Sequence, residues 1–186
     1  RLEERTLAFV GLHKLASATT HQATTFNQET KKKVIAIPKG SKVTIADVKG
    51  NGMISTLWMT FPNWFFKFWE PNDPTSPRLL KTFILHIYWD DADEPAVSAP
   101  VGDFFGNGLC EVSNFATQYY GMSSGGFFCK FPMPFKTGFK VVLENRDPEL
   151  DTEVFMNVLY QLTEEDLTTD IGYFHAQYNT DRDIKT

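Results

Sequence analysis

The clearest pattern in the chain is strict alternation. From Lys81 to Trp89 the apolar residues Phe83, Leu85, Ile87 and Trp89 fall on one face, which predicts a strand. Gly138–Asn145 repeats the pattern: Phe139, Val141 and Leu143 point one way, Lys140 and Glu144 the other, as in a half-buried antiparallel strand. Lys33–Pro38 and Lys42–Val48 flank the turn signal Lys39-Gly40-Ser41, and Lys49-Gly50-Asn51-Gly52 leads into a strand over Met53–Phe61. Further strands are predicted at Ala96–Val101, after the acidic turn Asp90–Pro95, and at Phe127–Phe131, Val154–Leu162 and Tyr173–Tyr178. Ahead of them stand a short predicted helix, Glu3–Leu15, and the polar stretch Ser17–Thr30, read as an extended arm or loop. About nine or ten short strands with at most one or two brief helices predict an all-β, antiparallel jelly-roll β-sandwich. Residues 1–30 are expected as an N-terminal arm or helix and 31–186 as one jelly-roll domain.

Composition narrows the class. With 186 residues, 42% hydrophobic and 22% charged, the chain can bury a sizeable core and is not disordered. No run of about 18 apolar residues occurs, so no helical membrane span is predicted. The net charge of −5 argues against nucleic acid as a partner, since phosphate binding wants a basic face. The basic cluster Lys31–Lys33 reads as a solvated strand edge. Cys110 and Cys129 form no C-x-x-C; two buried free thiols are the preferred reading, with a disulfide the alternative. The absent initiator Met suggests a mature or trimmed product and an extracytoplasmic (periplasmic or secreted) location. The 17 Phe exceed what a small core must hold, which suggests rings at an interface or lining a sugar-sized pocket.

Candidate chemistry concentrates between Pro100 and Phe135, in PVGDFFGNG (Pro100–Gly108) and GGFFCKFPMPF (Gly125–Phe135). Asp103 has two readings: a turn carboxylate capping backbone donors, or a carboxylate bonding ligand hydroxyls between the walls Phe104 and Phe105. His175 and Gln177 share one strand face, either solvent-facing or part of a recognition surface. His86 opposes the apolar face of its strand, and strand spacing sets it too far from Asp90 for a metal site. The acidic runs Asp90–Glu94, Asp147–Glu153 and Glu164–Asp166 read as solvated turns. No nucleophile elbow, phosphate loop or dinucleotide fingerprint is present, and no cofactor or metal is implied. The aromatic insertion Pro62–Pro77, with Trp64, Phe65, Phe66, Phe68 and Trp69, reads as a subunit contact in preference to a carbohydrate platform.

Several segments resemble, in order, those of glycoside hydrolase family 172. They are IADVKGNGMISTLWMTF (Ile45–Phe61), LHIYWDD (Leu85–Asp91), PVGDFFGNG, GGFFCKFPMPF, VVLEN (Val141–Asn145) and YFHAQY (Tyr173–Tyr178). The resemblance covers the chain from about Ser41 to Asn179. It implies two consecutive jelly rolls per protein, assembly into trimers or larger oligomers, and a metal-free, retaining, exo-acting attack on α-linked fructofuranosides or D-arabinofuranosides. Retention requires a nucleophilic and an acid/base carboxylate about 5–5.5 Å apart. Both family glutamates belong to motifs of the second jelly roll. The nearest wording here, Leu162-Thr163-Glu164-Glu165-Asp166, lacks their preceding glycine.

The chain therefore resembles the family's first jelly roll and carries no expected catalytic residue. Trp58, Asp103, Phe104, Phe105, His175 and Gln177 fall on family motif positions and are expected to bind substrate or shape the scaffold. STLWMT departs from the family's His-Ile-Trp-Met-Thr wording, and GNGLCE lacks its Gly-His-Gly. The expected partners are a furanoside and further copies of the chain. The alternative is a stand-alone jelly roll that binds carbohydrate or builds a capsid-like assembly.

Overall fold

Strand after strand in the computed structural model carries bulky apolar residues on the face that meets a second sheet. The structure describes residues 18–62, 75–109, 113–164 and 172–180. The helix expected over Glu3–Leu15, the rings Trp64–Trp69, Cys110 and Glu111 lie outside the described residues. The strands, in chain order, are β1 (Thr19–Thr24), β2 (Ile35–Ile37), β3 (Lys42–Lys49), β4 (Gly52–Thr60), β5 (Phe83–Trp89), β6 (Val97–Pro100), β7 (Phe115–Ala116), β8 (Tyr120–Ser123), β9 (Gly126–Cys129), β10 (Met133–Phe135), β11 (Gly138–Asn145), β12 (Thr152–Leu162) and β13 (Ala176–Gln177). Two short helices, α1 (Thr75–Thr82) and α2 (Val101–Phe104), flank β5 and β6.

The larger sheet runs β1-β12-β4-β9-β8-β7, and the smaller runs β13-β6-β5-β11-β3. The long strands β4 and β12 each hold two short partners along one edge. β4 pairs with β9 through Leu57–Met59 and with β10 through Gly52–Ile54; β12 pairs with β1 and β2. Ser55 is the extra residue of a bulge against Leu159–Tyr160, and its hydroxyl donates to the Leu159 carbonyl at 3.2 Å. Between the sheets lies one core, in which Phe139 of the small sheet meets Phe135 (4.9 Å) and Tyr160 (5.2 Å) of the large one. This is the jelly-roll β-sandwich that the alternation predicts.

Several elements differ from expectation. The polar stretch divides: Thr19–Thr24 is a strand built into the large sheet in register with Asn157–Leu162, and residues 28–30 form a turn that Asn27 caps. Lys81 and Thr82, expected to open a strand, close α1, whose Leu80 is fully buried. The strand expected over Ala96–Val101 stops at Pro100, which has no N–H for the ladder, and the chain turns into α2. Of Tyr173–Tyr178 only Ala176–Gln177 is a strand, and it runs parallel to β6. Before it, the Phe174 carbonyl takes its hydrogen bond from the Trp89 indole at 2.8 Å, not from a neighbouring strand. Lys42–Lys49, Gly52–Thr60 and Gly138–Asn145 fall within a residue of their expected bounds at each end.

Candidate functional site

The glycines of PVGDFFGNG are where side chains press on the backbone. A Cβ on Gly102 would lie 2.8 Å from the Leu80 Cβ, so its absence lets α1 and α2 touch. Gly106 has φ +87°, and a Cβ there would meet the rings of Phe115 (2.6 Å) and Tyr120 (2.7 Å). A Cβ on Gly108 would stand 2.9 Å from the Asp103 carboxylate. That carboxylate is paired: Lys81 Nζ donates to Oδ1 at 2.9 Å and Oδ2 at 2.8 Å, bridging α1 to α2. Partial burial works against the Lys81 charge, but the Asp103 bond and charge outweigh it and hold its pKa above the usual value. Lys81 also lies 4.9 Å from the Tyr178 ring centroid. Phe104 is half-buried, edge-on to Phe105 (4.9 Å) and Phe174 (6.3 Å). Phe105 is 0% exposed and packs on Phe127 in the core, so it offers no wall to a ligand.

Trp58 lies in the other sheet. Its neighbours Leu57 and Met59 fill the core, so its indole turns outward, where it covers Gly126. Trp58 does not meet Asp103 or His175 in a common site.

His175 and Gln177 do share one. Both are exposed and line a cleft of about 480 Å³ at the edge where β13 joins β6, together with Trp89, Asp90, Glu94 and Tyr173. The Gln177 amide donates to the carbonyls of Pro95 (2.9 Å) and Ala96 (3.2 Å), which fixes the side chain and aims its own oxygen away from them. Asp90 anchors the cleft floor. Its Oδ1 accepts the N–H groups of Lys136 (2.9 Å), Thr137 (2.7 Å) and Gly138 (3.2 Å), and its Oδ2 accepts the Tyr173 hydroxyl. Burial pushes the Asp90 pKa up, but these donors, Thr137 N–H first, outweigh it and leave the carboxyl below its ordinary value. The Tyr173 hydroxyl is pushed up to about 12 by burial and by the adjacent Asp90.

Asp90 and Asp147 therefore correct the reading of the acidic runs as solvated turns. Asp90 is half-buried with φ +53°. Asp147 is 0% exposed, paired with Arg78 at 2.6 Å and accepting the N–H groups of Glu149 and Leu150. Composition alone could not show this; the signal was Asp90 directly ending an apolar strand, where a short acceptor can cap a neighbouring turn. His86 is 3% exposed, and its Nε2 is bonded to Glu144 at 2.8 Å. Cys129 is a buried free thiol whose pKa burial raises to about 11. Among the described residues no group of His, Cys, Asp and Glu is arranged to hold a metal ion, and no helix is long and apolar enough to cross a membrane.

Fold and cleft together define a jelly-roll sandwich domain with a ligand-sized recess at one edge of its smaller sheet. The chain belongs to the GH172 domain-like family, which its sequence matches over residues 27–158. That span includes Trp58, Asp103, Trp89 and Glu94 and ends before Tyr173–Gln177. No curated protein gives a significant match.

Proposed function

We propose that this chain is the non-catalytic jelly roll of a retaining, exo-acting α-furanosidase, and that the cleft at β5, β6 and β13 forms part of its sugar pocket. The substrate class would be fructofuranosides or D-arabinofuranosides. The observation that carries the reading is the cleft's lining inside a GH172 domain-like fold: the half-buried ring of Tyr173 over the buried edge of Trp89, the fixed Gln177 amide, and His175 and Glu94 beside them. A ring that accepts an apolar sugar face, beside a few placed polar groups, suits a small polyhydroxylated ligand.

The same geometry favours recognition over chemistry here. A retaining reaction needs a nucleophile and an acid/base set across the scissile bond. Asp90 is committed to three backbone donors and a tyrosine, and Asp103 to Lys81. The catalytic pair would come from a second domain, with this domain supplying scaffold and contacts between copies.

The test compares this chain with the product of its complete reading frame. Titration with an aryl α-D-arabinofuranoside and an aryl α-fructofuranoside should show weak binding to the chain, lost in Gln177→Ala, and no hydrolysis. The longer product should hydrolyse one of them with retention. Turnover by the chain alone would put the chemistry in this domain, and an inactive, non-binding longer product would end the furanosidase reading. Light scattering should give a mass above one chain in either case; a monomer removes the assembly role.

A further inference from the structure

We propose that the outer face of the large sheet is where two copies of this chain meet, face to face about a two-fold axis close to Trp58. The proposal deepens the assembly part of the function proposed above and is independent of the sugar pocket.

The solvent side of an antiparallel sheet is ordinarily polar. Here the outward positions of β4, β9, β10 and β12 bring together Met53, Trp58, Phe128, Pro134, Phe155 and Leu159, all half-buried and none closed into the core. Two glycines let the rings among them lie along the sheet. The Trp58 indole covers Gly126, and the Phe128 ring reaches over Gly121, where a Cβ would stand 2.9 Å from it. The patch is edged by uncharged amides, with Gln22 of β1 donating to Asn157 of β12 at 2.8 Å. Four strand columns about 4.8 Å apart, over the nine residues of β4 at about 3.3 Å each, give about 600 Å² in projection. A standard interface takes roughly 800 Å² of accessible surface from each partner, with aromatic residues and Met enriched and charge depleted at its centre.

Charge selects the occupant. The chain carries a net charge of −5, which opposes most pairings of two copies. The described outward positions of this face hold one acid and one base, both exposed: Glu153 on β12 and Lys130 just after β9, beside the Phe128 ring. The register sets them at opposite corners. Lys130 follows Cys129, the partner of Leu57, toward the Gly52 end of β4, whereas Glu153 lies two residues before Phe155, the partner of Thr60, and so past the other end. A two-fold axis between the copies near Trp58 exchanges these corners and sets each Lys130 against the other copy's Glu153. A neutral apolar face with one charge of each sign complements itself.

The experiment is sedimentation velocity of the full chain over a concentration series. Wild type should give two copies or an even multiple. Lys130→Glu and Glu153→Lys should each weaken assembly about tenfold or more, and the double exchange should restore it to near the wild-type value. Leu159→Glu should lower the mass, while Gln177→Ala should assemble as wild type does. A monomeric wild type overturns this proposal together with the assembly role. An assembly that Leu159→Glu and both single exchanges leave intact overturns this proposal alone and moves the contact to another face. An odd number of copies removes the two-fold axis and overturns it as well. So does a double exchange that assembles no better than the single variants, since Lys130 and Glu153 then do not face each other.

Discussion

The indole of Trp58 occupies the space that a side chain at residue 126 would need. A Cβ on Gly126 would lie 2.7 Å from Trp58 Nε1 and 3.1 Å from the next ring atoms. Two residues along β4, the Thr60 hydroxyl donates to the Gly125 carbonyl at 2.6 Å. Ser124 and Gly125 both have positive φ, as a two-residue hairpin turn with the native strand twist requires. The segments around Trp58 and around Gly125 are thus halves of one packing unit, with β4 gripping the β8–β9 hairpin.

Gly126→Ala should therefore destabilise the domain by about 1–3 kcal/mol, the usual range for an added group in a filled site. The penalty belongs to the pair, so it should shrink in a Trp58→Ala background. Urea unfolding of the four proteins in the cycle measures the coupling. Equal penalties in both backgrounds would show that Gly126 is needed for its backbone alone.

Much of the sandwich was legible because its longest strands are also its most regular. β11 alternates apart from Val142, which is buried on the face of Lys140 and Glu144, and β5 puts Phe83, Leu85, Ile87 and Trp89 into the core as the pattern requires. Its outer face carries Ile84 and His86, which are buried too, and alternation gives no warning of a covered second face. β7 and β13 have two residues each and β10 has three, too few for any period. α1 follows an aromatic and proline-rich run that masks its short apolar stripe. The site was legible only in part. The i, i+2 spacing of His175 and Gln177 predicts a shared face, and both line one cleft. Asp103 and Phe105 stand out in the sequence by unusual company; the structure sets Lys81 against the one and the core around the other.

The Lys81–Asp103 pair yields a second prediction. Both side chains are part-exposed, so Asp103→Asn should cost about 1 kcal/mol or less by thermal or urea unfolding. Lys81→Met should cost about the same, and the double variant no more than either single one, because the pair is the shared loss. Furanoside affinity should not change in Asp103→Asn. A large affinity loss without a stability loss would return Asp103 to the ligand.

Glu144 makes stability depend on acid pH. Burial pushes its pKa up, but hydrogen bonds from Arg146 and His86 and the charges of Arg146 and Lys42 outweigh it, bringing the carboxyl to about 2 from an ordinary 4.5. A folded-state pKa below the unfolded one gives stability that is complete above the unfolded value and drains away as pH falls toward the folded one. Glu144→Gln should therefore cost on the order of 2 kcal/mol at neutral pH. That difference from wild type should close as the pH approaches 2, the folded-state value. A penalty that stays constant down to that pH would mean that glutamate shape, not charge, holds His86.

Asp90 should be the most sensitive position near the cleft, because one side chain serves two purposes. Its Oδ1 holds three backbone N–H groups of the β10–β11 connection, and its Oδ2 holds Tyr173 at the cleft wall. Asp90→Ala leaves those donors to water or to nothing and should cost about 2–3 kcal/mol. Asp90→Asn keeps one acceptor oxygen for the turn, gives up the charge, and should recover more than half of that loss. Tyr173→Phe removes one hydrogen bond and keeps the ring, so it should cost about 1 kcal/mol while leaving the turn intact. Amide hydrogen exchange separates the two purposes: Lys136, Thr137 and Gly138 should exchange faster in Asp90→Ala but at the wild-type rate in Tyr173→Phe. If Tyr173→Phe loosened those amides as much as Asp90→Ala, the tyrosine would be orienting the carboxylate, and the cleft wall and the turn would form one cooperative unit.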